Sequence, residues 1–167
     1  MHALYLLSVW LHVLAATAWI GGMFFLVLVV VPWLRTGTGA GAGVFLRETG
    51  ERFRTVGWVC FAVLTVTGTF NLWFRGVRFS SFADAQWRAT DFGQAVLWKL
   101  GLFGLVLLVS GYHDFFIGPR AAKAIEQEER SAQTQSLRRR ASLLGRLNAL
   151  LALAIAAVAV MLVRGAP

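Results

Sequence analysis

The chain carries no aspartate, glutamate, lysine or arginine from Met1 to Leu34. An uncharged run of that length excludes a water-facing segment. A bilayer core of ~30 Å takes about 20 apolar residues of helix, so the run is a membrane span. No basic segment precedes it and it is too long for a signal sequence, so it is expected to stay in the protein. Cysteine is nearly absent, and Cys60 alone excludes disulfides within the chain and any multi-thiolate metal site. Proline occurs only at 32, 119 and 167, which leaves the middle of every span free for long helices. Pro32 and Pro119 are expected to end the first and third spans. Methionine is also scarce: Met1, Met23 and Met161 form no M-x-x-x-M pattern, and soft-ligand copper chemistry draws on Cys and Met together with His. The Gly-rich stretch T-G-T-G-A-G-A-G from Thr36 has no Lys-Ser or Lys-Thr after it and is no phosphate loop.

What is present is apolar. Hydrophobic residues make up 57% of the 167 and charged ones 14%, the composition of an integral membrane protein. Four apolar blocks predict an all-α four-transmembrane-helix bundle, one domain over 1–167, with spans at about 4–33, 55–74, 93–118 and 143–163. The connecting loops at 35–54 and 119–142 hold most of the arginines, from Arg35 to Arg54 and from Arg120 to Arg146. Arg75, Arg78, Arg88 and Arg164 mark the other side. Excess Lys and Arg marks cytoplasmic loops, so both termini are expected outside, in a bacterial-type inner membrane. The net charge of +8 is accordingly assigned to these loops, with no nucleic acid as partner.

The first loop is expected to be flexible in its glycine stretch, with the second helix starting early after it. The second long loop, rich in Ala, Glu, Gln and Arg, should continue the third and fourth helices as a solvated hairpin. Arg138, Arg139 and Arg140 set topology or meet anionic headgroups. Phe79, Phe82, Trp87 and Phe92 suit an interfacial aromatic belt.

Polar groups at membrane depth are costly and are functional candidates. His12 sits seven residues outward of the centre of the first span, and Lys99 the same distance outward in the third. At ~1.5 Å per residue both lie about 10 Å from the midplane, at one level. His113 lies inward, ~20 Å from that level, so a single metal ion takes His12 or His113 and not both. Helical spacing puts His12, Ala15, Ala16, Trp19 and Met23 on one stripe, and Lys99, Phe103, Val106, Ser110 and His113 on another. The second span adds Thr65, Thr67, Gly68, Thr69 and Asn71, with Asn71 near the outer end. An outer cluster of His12, Asn71 and Lys99 results. A lone imidazole suits a haem iron, whose remaining coordination comes mainly from the porphyrin. The metal-ligand reading of His12 stands beside a plain interhelical hydrogen bond. Lys99 ligates iron, neutralises a propionate, or snorkels outward. Trp10, Trp19, Trp73 and Trp98 could line a macrocycle. At the inner end Asp114 is expected to pair with Arg54 or Arg146, while His113 could serve a second haem or a proton-entry relay. Asn148 is read as interhelical glue.

The runs H-V-L-A-A-T-A-W-I-G-G-M-F-F at 12–25, with Pro32 following, and K-L-G-L-F-G-L-V-L-L-V-S-G-Y-H at 99–113 resemble the copper-resistance D (CopD-like) membrane domain. The second run is also similar to HemJ-type proteins, small four-helix proteins in which a first-helix His and a third-helix Lys support haem b. That resemblance implies that His12 is the haem ligand and Lys99 its partner. After the glycines of the first span, V-L-V-V-V-P-W departs from the HemJ pattern and favours the CopD-like branch. The expectation is a haem b-binding membrane protein in electron transfer or a small redox reaction, with a redox partner or quinone. The alternatives are a copper transport or tolerance protein and a non-catalytic assembly subunit.

Overall fold

In lipid no water satisfies the backbone, so every span must bond its own N–H and C=O groups, and helices result. The computed structural model describes residues 1–36, 42–126 and 131–164. The expected Gly-rich flexibility falls largely on 37–41, outside the described residues. Among those described, four helices are long and apolar enough to cross a membrane: His2–Trp33, Arg47–Phe74, Asp91–Ala124 and Ala132–Arg164. The all-α four-span architecture is therefore present, as a multi-pass membrane protein.

Two of the four are not uniform. The first comprises α1 (His2–Phe25), a wide π turn (Leu26–Val30) and α2 (Val31–Thr36). The second is α3 (Ala42–Phe74), which begins well before the expected residue 55. After a 3-10 turn (Phe79–Phe82) and the short α4 (Ala85–Ala89) comes α5 (Asp91–Tyr112). A second π turn (His113–Ile117) leads into α6 (Gly118–Glu126), and α7 (Ala132–Arg164) completes the bundle.

Pro32 and Pro119 do not end their helices, contrary to expectation. Each is the second residue of the α segment that follows a π turn. A proline in an α-helix removes one hydrogen bond and clashes with the carbonyl four residues back. The wider π turn shifts that carbonyl, at Leu28 and Phe115 respectively, and the helix continues. The expected loop 119–142 is likewise helical over most of its length, as its helix-favouring composition suggested.

True turns lie at the opposite end. Gly76, at φ +85°, closes α3, with Val77 N–H donating to Leu72 O and Gly76 N–H to Trp73 O. Those two bonds take up carbonyls that the helix end would orphan, and the left-handed φ is one that glycine adopts without strain. Thr90 starts α5 by accepting from Gly93 N–H, and Asp84 caps α4 through Gln86 N–H.

The helices pack in two pairs, α1 with α3 and α5 with α7. The pairs join through α6 on α3 and, more lightly, α7 on α1. Small residues let backbones approach: Ala152 and Val106 are fully buried, and a Cβ on Gly22 would fall 2.6 Å from the Phe53 ring. Trp19, Phe61, Met23, Cys60 and Leu64 fill the centre, with Trp19 edge-on to Phe61 at 5.0 Å. Leu7, Trp10, Leu14, Leu28, Val66 and Leu108 face outward, as lipid-exposed residues should.

Candidate functional site

One polar cluster forms toward the N-terminal end of α1, where it crosses α3. Antiparallel packing brings His12 beside Thr67 and Gly68, and its Nδ1 lies 2.8 Å from Thr67 Oγ1. Thr67 donates its only hydroxyl proton to Val63 O at 2.6 Å, so toward His12 it accepts. A neutral His12 therefore carries its proton on Nδ1, and Nε2 keeps its lone pair. Gly68 makes the fit possible, since a Cβ there would stand 3.3 Å from His12 Cε1. Ser8, one turn outward on α1, donates to Thr67 O at 3.4 Å.

Lys99 comes close enough to His12 for their charges to interact, and Arg75 stands in the same relation to Lys99. Asn71 lies one turn beyond Thr67 on α3, and its Oδ1 is buried with no hydrogen-bond partner. In lipid such an acceptor is expensive to leave alone, so this corner has capacity for a donor or a cation. Ser8 is the site residue that sequence reasoning did not name, and Thr67 was named only among the other polar residues of its span. Of the three threonines in T-V-T-G-T, only Thr67 is buried; Thr65 and Thr69 are exposed. Its position four residues before Asn71 was the available signal.

Other expected residues are elsewhere. Trp19 is about 10 Å deeper than His12 by rise, in the central core beside Gly57. Trp10 and Trp98 are 59% and 67% exposed and face the lipid, while Trp73 lies under the Arg78 guanidinium at 5.1 Å. None of these three stands as a pocket wall beside His12.

The opposite end of the bundle has its own network. His113 Nδ1 donates to Asp114 Oδ1 at 3.0 Å, and Trp58 Nε1 donates to Asp114 Oδ2 at 3.2 Å. Arg54, expected to pair with that carboxylate, instead donates to the Asp114 backbone oxygen at 3.2 Å and lies over the Phe115 ring. The π turn that carries His113 and Asp114 frees local carbonyls, which explains the exchange. Asn148 Nδ2 donates to Ser110 Oγ at 2.7 Å between α7 and α5, as interhelical glue should, but its Oδ1 is buried without a partner. A cavity of about 880 Å³ opens here, walled by residues of all four spans, with His113 and Asp114 among its lining.

No group of three or more His, Cys, Asp or Glu side chains that could hold a metal ion occurs among the described residues.

Four membrane-crossing helices with a polar cluster toward each end define a small multi-pass membrane protein. Residues 47–162 match the family model described as "Copper resistance protein D", and the chain belongs to that family. It is therefore a copper-resistance-related membrane protein. A protein of Aquifex aeolicus (strain VF5), described as uncharacterized, is 34% identical over 117 residues, covering 69% of this chain and 71% of that one. No solved structure matches. The family match begins at residue 47, beyond His12, so the helix-1 motif stands on its own geometry.

Proposed function

We propose that the protein handles copper as cargo in a bacterial inner membrane, in transport or tolerance, with His12 on the metal's path. The arginine-rich segments 35–54 and 119–142 face the cytoplasm and both termini face outward, by the arginine distribution. The observation that carries this reading is the His12–Thr67 contact: it commits the proton to Nδ1 and leaves Nε2 as a ligand for a copper ion entering from outside. A fixed second-shell partner of this kind orients metal-binding histidines generally. One imidazole with few other donors holds a metal weakly, which suits transit, where an ion must leave as readily as it enters. The soft sulfurs of Met23 and Cys60 sit further inward in one buried cluster and offer the next step. Copper uptake into proteoliposomes tests this reading. His12→Ala should abolish uptake and His113→Ala should spare it; equal uptake with and without His12 would sink the proposal.

A second reading, one haem b in the outer half, is supported by the placement of Lys99 on the level of the same imidazole. The residues fit it: His12 would ligate the iron and Lys99 would meet a propionate or the sixth position. Haem would supply one-electron chemistry there. The visible spectrum of protein made with ample haem separates the two. A Soret band lost in His12→Ala selects haem, and no band leaves copper alone.

A further inference from the structure

The cavity lies about 20 Å from the His12 cluster by helical rise, at the end carrying the arginine-rich segments 35–54 and 119–142, and of its lining the copper reading uses only Met23. Its volume of about 880 Å³ falls in the range of small-molecule sites, ~300–1,000 Å³. Two π turns border it, Leu26–Val30 on one side and His113–Ile117 on the other. Such turns recur at functional sites because they widen a helix and redirect its side chains. Small residues on α7, Ala141, Ser142 and Gly145, leave the space open.

The lining is divided by chemistry. Toward the core it is apolar, with Trp19, Met23, Phe53 and Phe61. Toward the membrane surface it is cationic on balance, with Arg47, Arg54, Arg138 and Arg146 against the carboxylates of Glu51 and Asp114. Arg138 and Arg146 form no hydrogen bond or ion pair with any described residue. Of the lining acids, Asp114 already accepts from His113 and Trp58. Asn148 Oδ1, buried at the same wall, also has no partner. An apolar bottom beneath two unpaired guanidiniums complements a molecule with a hydrocarbon chain and an anionic head.

We infer that this cavity binds one anionic phospholipid from the adjoining leaflet, its phosphate against Arg138 and Arg146 and an acyl chain against Phe53 and Trp19. Arginine is the side chain suited to such a phosphate, which it meets bidentately. The lipid would fill the space between the two helix pairs and join α7 to α1 and α3, where direct packing is lightest.

The test uses the full chain purified in mild detergent, washed extensively, with its lipids extracted and identified by mass spectrometry. About one anionic phospholipid per chain should be retained, and added phosphatidylglycerol should raise the thermal midpoint more than phosphatidylcholine does. Arg138→Gln with Arg146→Gln should weaken retention about tenfold or more, the scale of losing charge-assisted hydrogen bonds. Gly145→Trp, which fills the cavity, should abolish it with helical content unchanged. If that variant does not fold, the lipid preference of the unaltered protein still decides. Equal retention of both lipid classes means an annular shell only and overturns the inference. So does displacement of the lipid by soluble glycerol phosphate, which would mark a site for a free anion.

Discussion

His12 Nδ1 and Thr67 Oγ1 stand 2.8 Å apart across two antiparallel helices, and the Thr67 proton is already committed to Val63 O. That pair fixes the imidazole tautomer inside the membrane. Thr67→Val keeps the shape and removes the acceptor. Interhelical hydrogen bonds in membranes are worth ~0.6–1.7 kcal/mol, so unfolding in detergent should show a loss of that size. If copper binds at Nε2, its affinity should fall ~10–100-fold by titration, the usual effect of losing a second-shell partner. Thr67→Ser should restore both.

Gly22 is where α1 approaches Phe53. An alanine Cβ would meet the ring at 2.6 Å, so Gly22→Ala forces the ring or the helix pair to shift. The expected cost is ~1–3 kcal/mol of overpacking, measured as a lower thermal midpoint. Gly21, one residue away, has nothing within 4 Å of an added Cβ, and Gly21→Ala should be near neutral.

Pro119 follows a π turn that already accommodates it. Pro119→Ala should therefore change stability by far less than the ~3 kcal/mol that proline costs in a regular helix. Leu108→Pro, at a lipid-facing position in the regular part of α5, should cost about that full amount. Comparable losses for the two exchanges in a thermal melt would contradict the accommodating role of the π turn.

Trp58 is held at the inner end through its indole N–H. Trp58→Phe leaves Asp114 Oδ2 without that donor, and a loss of ~1–3 kcal/mol is expected by chemical denaturation. Asp114→Ala should cost no less, since Trp58 Nε1 and His113 Nδ1 would both lose their acceptor.

Helix existence was legible in the sequence, and depth could be assigned from it. Whether a segment spans a bilayer depends on its charge and length, and depth follows from a fixed rise per residue. Both are local properties of one chain segment, which is why His12 and Lys99 could be put at one level. Partner identity was not legible. It depends on how each helix is rotated and where it crosses its neighbour, and those come from packing of the whole bundle. So Thr67 rather than Thr65 or Thr69 holds His12, the Asp114 carboxylate goes to Trp58 and His113 rather than to Arg54, and Trp10 and Trp98 turn to lipid. The sequence by itself determined four membrane helices, their arginine-rich end and an imidazole at depth. Only the tertiary structure decided that two prolines ride on π turns and that a cavity opens between the helix pairs. A π turn trades one helical hydrogen bond against packing elsewhere, and that balance is set by neighbours distant in the chain.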